Sequence, residues 1–190
     1  EFKLDPTQVA HRVKDHIFRS SKAGVLDLHY RANDEPPENG GFLLNAGRIY
    51  LDMGHLEYAS PECSTLTDLV TYDRAGDTLI QDAVDELGWR DSIGIIKNNV
   101  DLETNATFGC HENYLVGRGF PFDESLKLLS AFLVTRQIYC GAGRIGGCDP
   151  HPLSHLENSS AREQEEKVDF QISQRADHIP NEFYRWVQYN

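Results

Sequence analysis

Apolar residues recur at four-residue spacing near the start of the chain, at Val9, Val13 and Ile17, directly after an Asp5-Pro6 pair. Asp is a favoured helix N-cap and Pro suits the first helical position, so the spacing predicts a helix over Pro6 to Phe18. From Phe42 the period shortens to two. Ile49, Leu51 and Met53 alternate with Arg48, Tyr50 and Asp52, which in a strand sets the apolar side chains on one face and the polar ones on the other. The apolar face requires helices to cover it, and the polar face is either solvated sheet surface or the floor of a site. Between these segments Arg31 to Gly41 carries two prolines and two glycines and reads as an exposed loop tolerant of insertion.

Further along, Ser64 and Thr65 precede Thr67 and Asp68 in capping-box fashion, and Leu66, Leu69, Val70, Leu79, Ile80, Ala83, Val84 and Leu87 supply a long helical stripe. Ile93 to Lys97 and Cys110 to Arg118 suggest two strands around a polar loop. Asp123 is placed to cap an apolar helix through Leu126, Leu129, Phe132, Leu133 and Ile138 that stops at Gly141. A polar, His- and Glu-rich stretch from Gly147 to Lys167 precedes a short strand near Val168 to Ser173. Helices and strands thus come in mixed order, without the strict alternation of a doubly wound sheet, and the expected class is α+β.

Charge narrows the function. Eighteen basic against 30 acidic residues give a formal charge of −12, which repels nucleic acid and anionic membrane. No stretch approaches the roughly 20 apolar residues of a membrane span, and the N-terminus lacks a signal-peptide pattern. The expected partners therefore include no nucleic acid and no membrane. Cys63, Cys110, Cys140 and Cys148 lie far apart with no C-x-x-C pair, as suits reduced thiols in the cytoplasm.

Four segments carry candidate chemistry. Gly141 to Gly147 (GAGRIGG) is glycine-rich but follows a helix and lacks the Lys-Ser/Thr of a phosphate loop, so a helix cap and turn is the better reading. In Gly47 to Tyr58, Asp52, His55 and Glu57 form an oxygen- and nitrogen-rich patch of the kind magnesium favours, although on spacing alone an exposed strand with a polar turn is the better reading. In Cys110 to Tyr114 (CHENY) a strand would point His111 and Asn113 to one face and Glu112 and Tyr114 to the other, and only one face can line a site. Arg136 and Arg175 each call for an anionic partner, carboxylate or phosphate, if buried. Asn98 and Asn99 suit a turn.

Six ordered motifs, NAGRIYLDMGHLEYASPEC, TYDRAGD, IKNNVD, FGCHENYLV, AFLVTRQIYCGAGRIG and FQISQRADHI, resemble the Dop/PafA family over roughly Leu43 to Ile179. Its members are the depupylase/deamidase Dop and the ligase PafA, which act on the prokaryotic ubiquitin-like protein Pup. The resemblance implies a glutamine-synthetase-like fold of carboxylate-amine ligases, a curved antiparallel sheet backed by helices, with ATP and magnesium in its concave face. It implies a Pup-like modifier and its conjugates as partners. Carried over by motif, Asp52 is the catalytic aspartate; Glu57, Tyr50 and His111 lie toward the metal; and Tyr50, Arg136 and Arg175 lie toward the nucleotide, Arg175 being the better phosphate contact.

Two features resemble the depupylase branch: the length of D-M-G-H-L-E and the Gly-Arg-Ile-Gly after the TRQ helix. Cys63 and Cys110 resemble the ligase, the loop from Ala32 to Gly41 is shorter than Dop's insertion, and Leu56 departs from both. The reading favours an ATP-dependent depupylase/deamidase, with Pup ligase as the alternative and a catalytically silent modifier-binding fragment as a third. Residues 1–190 read as part of the N-terminal catalytic domain. The family's opening G-I-E-T-E-[FY]-G strand, of which Glu1-Phe2 is at most a remnant, and its C-terminal part are expected to be absent or supplied by another chain.

Overall fold

The computed structural model describes residues 3–30, 33, 35–101, 107–145 and 170–175. Glu1, Cys148 and the polar stretch 147–167 of the sequence reading lie outside the described residues. The chain divides between Ile96 and Lys97 into two compact units.

In the first unit α1 (Pro6–Asp15) opens as the sequence requires: Asp5 caps it by accepting from Gln8 N at 2.9 Å, the Gln8 side chain returns to Asp5 N, and Pro6 stands at the first helical position. The helix does not stop at Phe18. It widens into a π-helical turn, His16–Ser20, closed by Ser21 N donating to His16 O at 3.0 Å. This turn points Ile17 and Phe18 into the core beside Val13.

A four-stranded antiparallel meander follows: β1 (Gly24–Leu26), β2 (Gly40–Leu43), β3 (Arg48–Asp52) and β4 (His55–Ala59), hydrogen-bonded in that order. The long helix α2 (Leu66–Glu86) starts with Thr65 accepting from Asp68 N at 3.1 Å. α1, the π-helical turn and the C-terminal half of α2 cover one face of the sheet. There Ile17, Ile49 and Val84 are fully buried, with Val13, Phe18, Leu43 and Ala83 around them. The N-terminal half of α2 behaves otherwise: Leu66, Leu69 and Val70 of the predicted stripe are exposed, because the core cluster reaches only the helix's later turns.

Period two holds for Ile49 and Leu51, both buried, but not for Met53, which is 93% exposed. Met53 (φ 48°) and Gly54 (φ 87°) form the two-residue turn of the β3–β4 hairpin, where positive φ at both positions matches the strand twist. The preceding loop is shorter and better held than its composition suggests. β2 begins at Gly40, and the loop's end is tied down by buried Lys14, which donates to Glu38 O at 2.5 Å, by the Arg19–Glu38 ion pair, and by Glu38 N donating to Asp27 O at 2.7 Å.

The second unit holds α3 (Phe122–Thr135), α4 (Gln137–Cys140) and the short antiparallel pair β5 (Arg144–Ile145) with β6 (Phe170–Gln171). The strands expected over Ile93 to Lys97 and Cys110 to Arg118 are not formed; a single bridge, Val100 with Thr107, stands near them. Strand-forming residues become a strand only where a partner strand takes up their backbone groups, and among the described residues none does. Nor does Asp123 cap α3, which opens at Phe122 after Pro121; Asp123 and Glu124 lie in its first turn, where they favour the positive end of the helix dipole. Of the strand expected near Val168 to Ser173, Phe170–Gln171 is in a ladder. The mixed helix and antiparallel-sheet content agrees with the α+β expectation. No helix among the described residues is long and apolar enough to cross a membrane.

Gly76 of α2 lies where Tyr58 of β4 crosses it: a β-carbon there would come within 2.4 Å of the Tyr58 ring. Ala normally favours a helix over Gly by about 1 kcal/mol, but overpacking of a close contact costs about 1–3 kcal/mol. The clash prevails at so short a distance, and Gly76→Ala is expected to lower stability by about 1 kcal/mol or more in urea denaturation. An unchanged or raised midpoint would mean that Tyr58 moves aside freely.

Candidate active site on the bare face of the sheet

Among the described residues of the first unit the helices cover one face of the sheet, and alternation sends Arg48, Tyr50 and Asp52 of β3 to the other. Register then fixes their neighbours. Arg48 stands between Phe42 of β2 and Ala59 of β4, Tyr50 between Gly40 and Glu57, and Asp52 opposite His55. Tyr50 and Glu57 touch: the phenol donates to Glu57 Oε2 at 2.6 Å. Burial is the main cause that pushes the Tyr50 phenol well above the ordinary tyrosine range, and the bond to the Glu57 carboxylate adds to it. Tyr50 is thereby a neutral donor that orients Glu57. Asp52 is exposed at the end of β3, a carboxylate presented to whatever occupies this face.

Arg48 was seen on the polar face in the sequence but not assigned a role. Its guanidinium carbon lies 4.9 Å from the Tyr50 ring centroid and 5.6 Å from that of Phe42, a cation held over two aromatic faces. Glu35 approaches it only to 3.9 Å, and Arg48 Nε is buried with no hydrogen-bond partner among the described residues. A shallow depression bordered by Asp27, His29, Asn39, Gly40 and Arg48 opens beside it. The signal was present in the sequence: Arg48 has the same parity as Tyr50 and Asp52.

The remaining predicted site residues, His111, Arg136 and Arg175, belong to the second unit. Arg136 caps the C-terminus of α3 and lies 5.8 Å from the Phe132 ring centroid. Its Nη1 reaches both oxygens of Glu112, at 3.0 and 2.9 Å, while Tyr114 OH donates to Glu112 Oε2 at 2.6 Å. The Arg136 bond holds the Glu112 carboxyl below its ordinary range, and the same carboxylate raises Tyr114 and Arg136. Arg175 Nη2 stands 3.5 Å from Thr107 Oγ1. Asn98 and Asn99 are turn residues, with Asn98 Nδ2 donating to Val100 O and Asn99 O accepting from Phe108 N.

A magnesium ion commonly takes one or two carboxylates and completes its shell with phosphate oxygens and water. Glu57 and Asp52, on one sheet face, suit that modest requirement. Among the described residues no three His, Cys, Asp or Glu side chains converge into a site that would hold a cation by themselves.

Residues 5–189 match the family model described as Pup-ligase protein. The chain belongs to the Pup-ligase protein family. Among curated relatives it is 44% identical over 185 residues to a "Pup--protein ligase" of Corynebacterium glutamicum, a match covering 93% of this chain and 33% of that protein. It is 39% identical over 168 residues to the protein of the same name from Corynebacterium jeikeium, covering 87% and 32%. A third relative of that name, from Kocuria rhizophila, is 42% identical over 146 residues, covering 73% and 30%. The chain thus spans about a third of the length of the curated Pup-ligase relatives it matches.

The polarity of this family member's bare face gives a direct test. Ordinary tyrosines titrate near about pH 10, whereas Tyr50 is expected to stay protonated beyond that, so subtracting the ultraviolet titration of Tyr50→Phe from the parent isolates a late component. Glu57→Gln should move that component to lower pH. Because the folded phenol is the raised one, the stability it lends is intact below the ordinary tyrosine range and is lost as pH climbs from there through the raised folded value. A difference curve centred on the ordinary value would show the phenol neither buried nor bonded to Glu57.

Proposed function

We propose that the protein carrying this sequence is a Pup ligase of the cytoplasm, joining the C-terminal Glu carboxylate of a Pup-like modifier to a lysine of a target protein with ATP and magnesium. Membership of the Pup-ligase protein family, with relatives named as ligases, is the observation that carries this reading. Those names favour ligation over the depupylase expected from the D-M-G-H-L-E and Gly-Arg-Ile-Gly segments. The bare polar face of an antiparallel sheet backed by helices supports a glutamine-synthetase-like cradle as its setting.

In this reading ATP supplies the phosphoryl group that makes the carboxylate an acyl phosphate, and magnesium offsets the phosphate charge. The chain's own residues do the rest. Asp52 takes the proton from the incoming lysine ammonium, which frees the amine lone pair to attack. Its exposed position at the strand end leaves it accessible to a bulky protein substrate. Glu57, with one oxygen fixed by Tyr50, offers its carboxylate to magnesium; Tyr50 acts through Glu57 because its phenol keeps its proton. Arg48 on this face supplies positive charge toward phosphate oxygens, and within the second unit His111 and Arg175 offer donors of the same kind.

Asp52→Asn keeps size and hydrogen-bonding capacity but removes basicity. In the full-length protein, conjugation of a Pup-like modifier to a lysine-bearing target, followed by mass spectrometry, should fall by about 10²–10⁴-fold with ATP affinity retained. Full activity of the variant would remove Asp52 from the reaction. Release of modifier from preformed conjugates, with none newly formed, would transfer the function to the depupylase.

A further inference from the structure

The segment Gly109 to Tyr114 has two sides with different duties. Tyr114 donates to Glu112, so these two side chains share one side, as alternation along an extended chain demands even without a sheet. Arg136 Nη1 closes on that carboxylate from α3. Both contacts use one nitrogen, so this is a shared donor rather than the paired fork with which Arg grips a phosphate. The Glu112 carboxylate accepts three hydrogen bonds and has its charge neutralised.

The other side belongs to positions 109 and 111. Gly109 has no side chain, and a β-carbon built on it would stand 3.1 Å from Arg175 Nη1 and 3.4 Å from His111 Nε2. Gly109 is outside the left-handed region, so its bareness answers a need for space and not for an unusual backbone angle. Arg175 retains donor capacity: its Nε is buried with no partner among the described residues, and its Nη2 contact to Thr107 Oγ1, at 3.5 Å, is at the limit of a hydrogen bond. A guanidinium and an imidazole therefore converge over bare backbone, the guanidinium with Nε unspent among the described residues. The chemistry that fits is a compact anion with several acceptor oxygens.

We infer that Arg136 is a positioning residue: by clamping Glu112 and Tyr114 it aims His111 beside Arg175 over Gly109, and these three form a phosphate-binding edge. The inference rests on the nucleotide reading above and changes the part of Arg136, expected from the family motif to meet the nucleotide itself. Gly109 becomes a position where any side chain takes the room of the anion.

The test measures affinities of the full-length protein for ATP and for adenosine by calorimetry in the presence of magnesium, with melting temperatures alongside. Glu112→Gln and Arg136→Gln should each weaken ATP by about ten- to a hundredfold, the usual effect of losing a supporting partner, and leave adenosine unchanged. Arg136→Lys should recover most of the loss, since one nitrogen suffices for the clamp. Gly109→Ala, which strains no backbone, should weaken ATP at an unchanged melting temperature. If the Gln variants melt early, Tyr114→Phe, which removes a single bond, carries the same expectation.

Loss of ATP affinity in Arg136→Gln with none in Glu112→Gln, or no recovery in Arg136→Lys, would make Arg136 a direct phosphate contact and overturn the inference. So would ATP binding that none of these variants disturbs. A parent protein that binds no ATP at all would overturn the nucleotide reading beneath it, an outcome distinct from the others.

Discussion

Ile49 is sealed from water against Ile17 and Val84, and much of the first unit follows from which side of β3 it takes. Burying a side chain of that size contributes about 1.5–3 kcal/mol, and Leu51 two residues on commits the strand to the same side. A slip of one residue would drive Arg48, Tyr50 and Asp52 into the core and expose the apolar pair. The hydrophobic contact that folds the sheet therefore also presents the polar triplet. Stability and chemistry are set by the same parity.

On the presented face electrostatics does the finer arranging. Arg48 lies over Tyr50 and Phe42, and Tyr50 donates to Glu57, so one row of the sheet hands orientation to the next. The second unit uses a comparable device with different parts, Arg136 and Tyr114 converging on Glu112. In both, a tyrosine hydroxyl fixes one oxygen of a glutamate. Pairs of this kind restrict a carboxylate to one rotamer, which is what a site that must meet a charged ligand requires.

Local signals were legible in the sequence and nonlocal ones were not. The Asp5-Pro6 start of α1 and the Thr65 cap of α2 depend on residues within one helical turn, and both appear where the sequence puts them. The alternation through Arg48 to Asp52 also survives, but Met53 leaves it because turn geometry overrides apolar character at a hairpin end. Cys110 to Arg118 has strand-like composition and no ladder, since pairing is decided by a partner elsewhere in the chain. Alternation still operated there: it separates His111 from Glu112 and Tyr114, while their partners Arg136 and Arg175 lie more than twenty residues away and could be joined to the segment only by the fold. Lys14, polar and buried, was invisible to a hydrophobic pattern because its role is to hold a loop carbonyl.

The Met53-Gly54 turn sets a length as well as a shape. Tyr50 faces Glu57 because five pairs of residues stack back from a two-residue corner, and the alignment is counted from that corner. With one residue inserted there, Leu56 or Tyr58 would compete for the place opposite Tyr50, or the ladder would have to absorb the extra residue as a bulge. The spacing between Asp52 and Glu57 is thus a ruler. A substitution at this corner leaves Tyr50 facing Glu57, whereas an insertion or deletion there changes which side chain it meets.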